Sequence, residues 1–133
     1  MTQRLRRASS AGAAHQDKDA PVGKQRRMAY FERIDETRFF PTAHTAGAWN
    51  TQELHIAPVM GLLTHALETD CARRDTGFSI GRLSYDILGP IPAEPLDTSV
   101  SVLRPGRTIE LVEATLACRE RPVLRLRAWL MAP

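Results

Sequence analysis

Hydrophobic residues recur at helical spacing over residues 55–74, HIAPVMGLLTHALETDCARR, and this stretch predicts the one long helix of the chain. When the residues are wound at about 100° each, one broad arc is apolar; its members are Val59, Met60, Leu62, Leu63, Ala66, Leu67 and Cys71. The opposite arc holds Gly61, Thr64, His65 and Glu68. We expect Pro58 at the first helical position, where a missing N–H is tolerated. Asp70 falls in the apolar arc, so we expect the helix to leave its core near that residue.

Alternating apolar and polar positions on both sides of this helix predict β-strands. Residues 30–42 give one strand or two short ones, broken at Pro41, and residues 44–52 give a loop that carries Trp49. After the helix come four alternating segments, at residues 78–88, 96–103, 108–118 and 123–131. Tight turns at 104–107 and 119–122 join the last three into a meander. The pattern therefore predicts an α+β domain in which a long antiparallel sheet packs on one helix.

Length and composition predict one domain with no membrane helix, disulfide or metal site. Its 133 residues are 43% hydrophobic, and no apolar run approaches the roughly 20 residues that a membrane helix needs. Cys71 and Cys118 are far apart in sequence, which favours small core residues in a reducing cytoplasm. His44, His55 and His65 are spaced unlike the common metal-ligand sets. We therefore expect neither a metal nor another cofactor.

The basic character of the chain comes from its first 27 residues. They hold seven Arg and Lys against two Asp, whereas residues 28–133 hold 11 basic and 13 acidic residues. With so few large apolar side chains, residues 1–27 are predicted to be disordered and dispensable for stability. Three interpretations stay open: a flexible basic tail, an Arg/Ser-rich targeting peptide, or an upstream extension with Met28 as the natural start. The acidic remainder, predicted as one domain over residues 28–133, argues against nucleic-acid binding.

Five separated motifs follow one another along this domain. They are Phe31-Glu32-Arg33-Ile34, Gly47-Ala48-Trp49-Asn50, His55-Ile56-Ala57-Pro58 with Gly61, residues 83–92 (LSYDILGPIP) and residues 103–108 (LRPGRT). Together they resemble the N-terminal half of the thioesterase-like double-hotdog family, the acyl-CoA thioesterase II type. The resemblance covers residues 30–131 and implies a hotdog fold that acts on fatty acyl-CoA thioesters in lipid metabolism. It also implies a homodimer, or pairing with a second hotdog, because hotdog acyl sites form between two such units.

The resemblance places the thioester carbonyl at the N-terminus of the helix. The first amides of a helix lack partners and carry partial positive charge, so they can stabilise a developing oxyanion. We expect these donors to be Val59, Met60 and Gly61, and we include His55 and Trp49 among the substrate-binding residues. Trp49 either lines an acyl tunnel or plugs the helix end.

The sequence offers two candidates for catalysis. Many single-domain hotdog thioesterases carry Glu or Asp about nine residues after a His at the helix start; counting from His55, that place is Thr64, which cannot act as a base. Glu68 lies one turn further on the same face, where a glutamate is more often simply solvated than catalytic, and His65 is expected at the surface or an interface. The resemblance places the catalytic polar residues of double-hotdog proteins in a second hotdog outside this chain. Two functions stay open: an acyl-CoA thioesterase, or a non-catalytic acyl-binding or assembly module.

Overall fold

The computed structural model describes residues 28–133, so the predictions for residues 1–27 lie outside the described part. Its elements in chain order are β1 (Phe31–Arg33), β2 (Arg38–Pro41), a short 3-10 turn (Ala43–Thr45), α1 (Ile56–Arg74), β3 (Ser79–Ile87), β4 (Leu96–Arg104), β5 (Ile109–Cys118) and β6 (Arg121–Met131). Within the described residues α1 is the only α-helix, as its hydrophobic pattern predicts. The strands after it follow the predicted segments to within two residues at each end.

The six strands form one antiparallel sheet in the order β1-β2-β4-β5-β6-β3. The predicted meander is present as β4, β5 and β6. β3 pairs with β6, the last strand of the chain, so β3 forms one edge of the sheet and β1 forms the other. One helix packs on a long antiparallel sheet, as expected for a hotdog.

The first two strands are separate, as one of the two predicted alternatives has it, but the break is not at Pro41. Pro41 is the last residue of β2, and the chain turns earlier, at residues 34–37. There the Asp35 Oδ1 atom accepts bonds from the amides of Thr37 at 2.9 Å and Arg38 at 2.8 Å. These two hydrogen bonds lower the pKa of Asp35, and the bond from the Thr37 amide has the larger effect. An aspartate that accepts hydrogen bonds from the amides two and three residues later in the chain stabilises a turn of this kind.

The helix agrees with the predicted stretch 55–74, but the expectation that Pro58 is its first residue is wrong by two residues. Ile56 is the first helical residue, His55 is the N-cap and Pro58 is the third residue of the helix. Proline is tolerated there because the third amide of a helix also has no acceptor within the helix. The helix ends as predicted, at Asp75, which adopts φ of 52° and donates its amide to the Ala72 carbonyl at 3.1 Å.

The apolar arc of α1 faces the sheet, as predicted. Its buried members are Val59, Leu62, Leu63 and Leu67, whereas Gly61, His65 and Glu68 are exposed and Thr64 is half-buried. The helix packs on β4, β5 and β6. The inward residues of β5 and β6 are Val112, Ala114, Leu116, Cys118, Leu124, Leu126, Ala128 and Leu130. Both of these strand faces are the ones that alternation predicts.

The prediction that α1 leaves the core near Asp70 is wrong. Asp70 is 8% exposed, and its carboxylate binds Arg73 at 2.9 Å and Arg74 at 2.6 Å. Arg74 also reaches Glu110 of β5 at 2.8 Å, and Glu110 is itself 6% exposed. A charge is tolerated in such a place when it is paired. This cluster therefore joins the last turn of α1 to the sheet.

Replacing Leu63 by alanine should lower the free energy of unfolding by about 2–5 kcal/mol, because a fully buried leucine leaves a cavity. Glu68→Ala is the matched control on the exposed face of the same helix and should change stability by less than about 0.5 kcal/mol. Urea denaturation of both variants measures the difference. Equal losses would contradict the observed orientation of α1.

Candidate functional site

A wide cleft of about 980 Å³ opens beside the first turns of α1, and we call it the helix-start cleft. Its lining from the helix and N-cap consists of His55, Ala57, Pro58, Gly61, Leu62 and His65. The rest of the lining comes from β1, β2 and the segment around the 3-10 turn; it consists of Tyr30, Phe31, Arg33, Phe39, His44, Ala46 and Ala48. Most of these side chains are apolar, and the polar ones are nitrogen bases, one guanidinium and one phenol.

Two backbone amides at the start of α1 have no acceptor within the helix. The His55 amide donates to the Thr45 carbonyl at 2.8 Å, and Pro58 has no N–H. In the i→i−4 pattern the first intrahelical donor is Val59, which leaves the amides of Ile56 and Ala57. Ala57 lines the helix-start cleft. The helix therefore presents a weak anion-binding end to the cleft.

The predicted donor set, Val59, Met60 and Gly61, needs correction. Because the helix begins earlier than expected, these three amides lie inside the helical hydrogen-bonding pattern. Of their residues only Gly61 lines the helix-start cleft; Val59 is fully buried and Met60 is half-buried.

Of the two remaining substrate-binding candidates, His55 and Trp49, only one lies in the helix-start cleft. His55 lines the helix-start cleft, as expected for such a residue. Trp49 does not, and its side chain is fully exposed. Trp49 therefore does not plug the helix end, and its role as a tunnel wall completed by a second hotdog stays a prediction.

Neither catalytic candidate lies in the helix-start cleft. Thr64 donates its hydroxyl to the Met60 carbonyl at 2.9 Å and also hydrogen-bonds the hydroxyl of Tyr85 on β3. Glu68 borders a separate hollow beside Phe78, near the start of β3. Their side of α1 is the side toward the β3 edge.

The structure instead brings together Arg33 and three histidines, His44, His55 and His65. Sequence reasoning placed His65 at the surface and gave no role to His44 or Arg33. A usable pattern was present, because Ala57, Gly61 and His65 follow one another at four-residue spacing and share one stripe of the helix. His44 lies in the short 3-10 turn, where no periodic pattern in the sequence predicts which way a side chain faces.

The cysteines are unsuited to nucleophilic catalysis. Cys118 is buried and Cys71 is half-buried, and burial raises the pKa of both thiols. The thiolate that attacks a carbonyl is therefore disfavoured at neutral pH. Among residues 28–133 no three His, Cys, Asp or Glu side chains are grouped so that they could hold a metal ion. No helix in the same range is both long and apolar enough to cross a membrane.

Residues 45–131 match the sequence pattern of the acyl-CoA thioesterase N-terminal domain family. The chain belongs to this family. The match covers the whole of α1 and β3 to β6, and it includes the helix side of the helix-start cleft. No curated protein matches the sequence significantly.

Solved structures of other proteins share the fold. The Escherichia coli PaaI protein, from a phenylacetic acid degradation operon, is 17% identical with a TM-score of 0.61, over 76% of this chain and 80% of that one. A thioesterase of Thermus thermophilus, complexed with coenzyme A and zinc, is 14% identical with a TM-score of 0.60, over 72% and 76% of the chains. A tesB protein of Mycobacterium avium subspecies paratuberculosis is 19% identical with a TM-score of 0.57, over 76% of this chain and 39% of that one. The expected hotdog fold is confirmed.

Proposed function

We propose that this hotdog domain binds fatty acyl-CoA thioesters in the helix-start cleft and hydrolyses them there. The carrying observation is the combination of two unpaired helical amides with a large, mostly apolar cleft beside them. Family membership supports the substrate class. An apolar wall suits an acyl chain, and the helix start suits the carbonyl oxygen that gains negative charge during hydrolysis.

Gly61 supports a ligand at this place. A Cβ atom added to Gly61 would meet no atom within 4 Å, so no packing neighbour requires a glycine there. Glycine inside a helix lowers stability by roughly 1 kcal/mol relative to alanine. Since Gly61 lines the helix-start cleft, its missing side chain leaves room for a ligand against the backbone.

In the proposed reaction the thioester carbonyl oxygen accepts hydrogen bonds from the amides of Ile56 and Ala57. Water adds to the carbonyl carbon and gives up a proton, and the tetrahedral intermediate then loses the thiolate of coenzyme A. The carbon–sulfur bond breaks, and a carboxylate and a free thiol result. The two amides stabilise the oxyanion of the intermediate, which is the largest electrostatic contribution that this chain supplies.

The proton of the attacking water needs an acceptor near neutral pH. Among the residues that line the helix-start cleft, His44, His55 and His65 have side chains of that kind. Thr64 and Glu68, our sequence candidates, lie toward the β3 edge and would serve a site completed by a second hotdog. Within residues 28–133 no Asp or Glu lines the cleft to orient a histidine, and this observation favours the second candidate function, a non-catalytic acyl-binding or assembly module.

Pairing with a second hotdog is part of the proposal. β3 is a nine-residue edge strand whose outer backbone groups have no partner in the described chain, and Ile80 and Ile87 are exposed on it. Such an edge invites pairing unless something covers it. A two-fold homodimer through β3, or a pair with a separate hotdog, would cover the edge and the polar arc of α1. Two unpaired cysteines fit a cytoplasmic location, which we include in the proposal.

Gly61→Phe should abolish function without unfolding the protein. The ring would occupy the helix-start cleft, and we expect a loss of about 100-fold in the release of free thiol from fatty acyl-CoA. Ser101→Phe, at an exposed position of β4 outside the helix-start cleft, is the matched control and should keep both activity and melting temperature. Binding without turnover by the wild type would select the non-catalytic alternative. Turnover that Gly61→Phe leaves unchanged would refute the assigned site.

Light scattering should give twice the chain mass of 14.8 kDa for the purified protein. Ile87→Lys places a charge on the exposed β3 edge and should shift the protein toward monomer, since lysine on an edge opposes strand pairing. Leu103→Lys, at the exposed end of β4, is the control and should leave the mass unchanged. A folded wild-type monomer at tens of micromolar would exclude the homodimer and leave pairing with a separate hotdog.

A further inference from the structure

The side chains that line the helix-start cleft carry charge of one sign only. Among the residues that the structure describes, Arg33 supplies a cation to this lining and His44, His55 and His65 supply imidazoles, while no aspartate or glutamate is among them. Residues 28–133 as a whole contain more acidic than basic side chains, 13 against 11. The absence of carboxylates from the cleft therefore does not reflect the composition of the domain.

Arg33 is held in place without being neutralised. Its guanidinium carbon lies 5.0 Å from the centre of the Phe39 ring, and its Nη1 atom donates to the Glu36 carbonyl at 3.3 Å. Stacking on an aromatic ring orients the planar group. Arg33 forms no ion pair with any described residue, whereas Arg38 and Arg127 are each bound to a carboxylate at 2.9 Å.

The remaining contact of Arg33 is one that an anion can replace. Its Nη2 atom lies 3.4 Å from Nε2 of His65. A guanidinium can only donate, so the imidazole nitrogen accepts. A distance of 3.4 Å is longer than an ordinary N–H···N or N–H···O bond, and a charge-assisted bond to an anionic oxygen is shorter, about 2.7–2.9 Å, and stronger. When an anion takes its place, the His65 ring no longer accepts from Arg33, and an imidazole N–H can donate to the same anion.

We propose that Arg33 and His65 form an anion-binding site in the helix-start cleft for an anionic group of the ligand. This inference rests on the proposed function. On their other side Arg33 and His65 both border a smaller hollow of about 130 Å³. Glu36 and Asp70 also line that hollow, so the anion binds on the cleft side, where the described lining has no carboxylate. The anionic group is either a phosphate of coenzyme A or a carboxylate carried by the acyl chain.

The spacing along α1 restricts the ligand. Ala57, which presents a free amide, and His65 are eight residues apart, about 12 Å along the helix axis. The reacting carbonyl and the anionic group must therefore be well separated in the same ligand. A long acyl chain with a terminal carboxylate meets this requirement, and so does the pantetheine arm with its phosphates; a malonyl group is too short.

Titration calorimetry with three unreactive ligands distinguishes the two sources. They are ketone analogues, with a methylene group in place of the thioester sulfur, of octanoyl-CoA, of suberyl-CoA and of octanoyl-pantetheine. If the anion is a phosphate, Arg33→Met should weaken both CoA ligands about tenfold or more and leave the pantetheine ligand unchanged. If it is the acyl carboxylate, only the suberyl ligand should weaken.

Two further variants separate the lost charge from other effects. Arg33→Lys keeps a cation and should recover part of the affinity. Arg107→Met removes an exposed turn arginine that lies outside the helix-start cleft and should change none of the three affinities. Melting temperatures confirm that each variant is folded. Equal effects of Arg33→Met and Arg107→Met on all ligands would overturn the proposed anion site.

The test also distinguishes failure of the anion site from failure of the proposed function. If the wild type binds none of the three ligands, the proposed function is wrong. Suberate and pyrophosphate alone are then titrated while the His65 ring is followed by NMR. Shifts that disappear in Arg33→Met would support the anion site independently, and the absence of any shift would refute it too.

Discussion

Burial of the apolar face of α1 against β4, β5 and β6 is the interaction on which the other features depend. Leu63 and Leu67 lie fully buried on that surface, and Asp70, Arg74 and Glu110 join the last turn of the helix to β5. The helix is therefore fixed along its length. A fixed helix aims its first amides at one place, and β1, β2 and the 3-10 turn enclose that place as the helix-start cleft.

The chemistry available at that place follows from what the first turn leaves unsatisfied. His55 uses its amide on Thr45, Pro58 has none, and Ile56 and Ala57 remain for a ligand. The fold thus supplies two amide donors and an apolar wall, which the proposed function uses for the oxyanion and the acyl chain. The described part of the chain lines the cleft with imidazoles and no carboxylate, so the proposed hydrolysis by this chain alone would depend on an unassisted histidine. A second hotdog would supply further groups across the β3 edge.

Much of the fold could be predicted, because β5 and β6 alternate between a buried and a less buried face and α1 has one apolar arc. The prediction for Asp70 failed because the burial of that residue depends on a partner far away in the sequence. Asp70 looked out of place because Glu110, which shares Arg74 with it, is 40 positions away in sequence, and the pairing of β3 with β6 is equally non-local. Pro58 misplaced the helix start because proline is tolerated at several first-turn positions. In the cleft, His55 and His65 belong to α1 and its N-cap, whereas His44 comes from the 3-10 turn and Arg33 from β1, and only packing brings these elements together.

The most direct measurement is the NMR response of backbone amides to the unreactive ketone analogue of octanoyl-CoA, which retains the carbonyl oxygen. The account requires that the amide resonances of Ile56 and Ala57 move as the ligand binds and saturate together with that of Gly61, while Ala72 at the far end of α1 stays unchanged. Saturable binding that leaves Ile56 and Ala57 unmoved would contradict the assignment of the helix start as the carbonyl site.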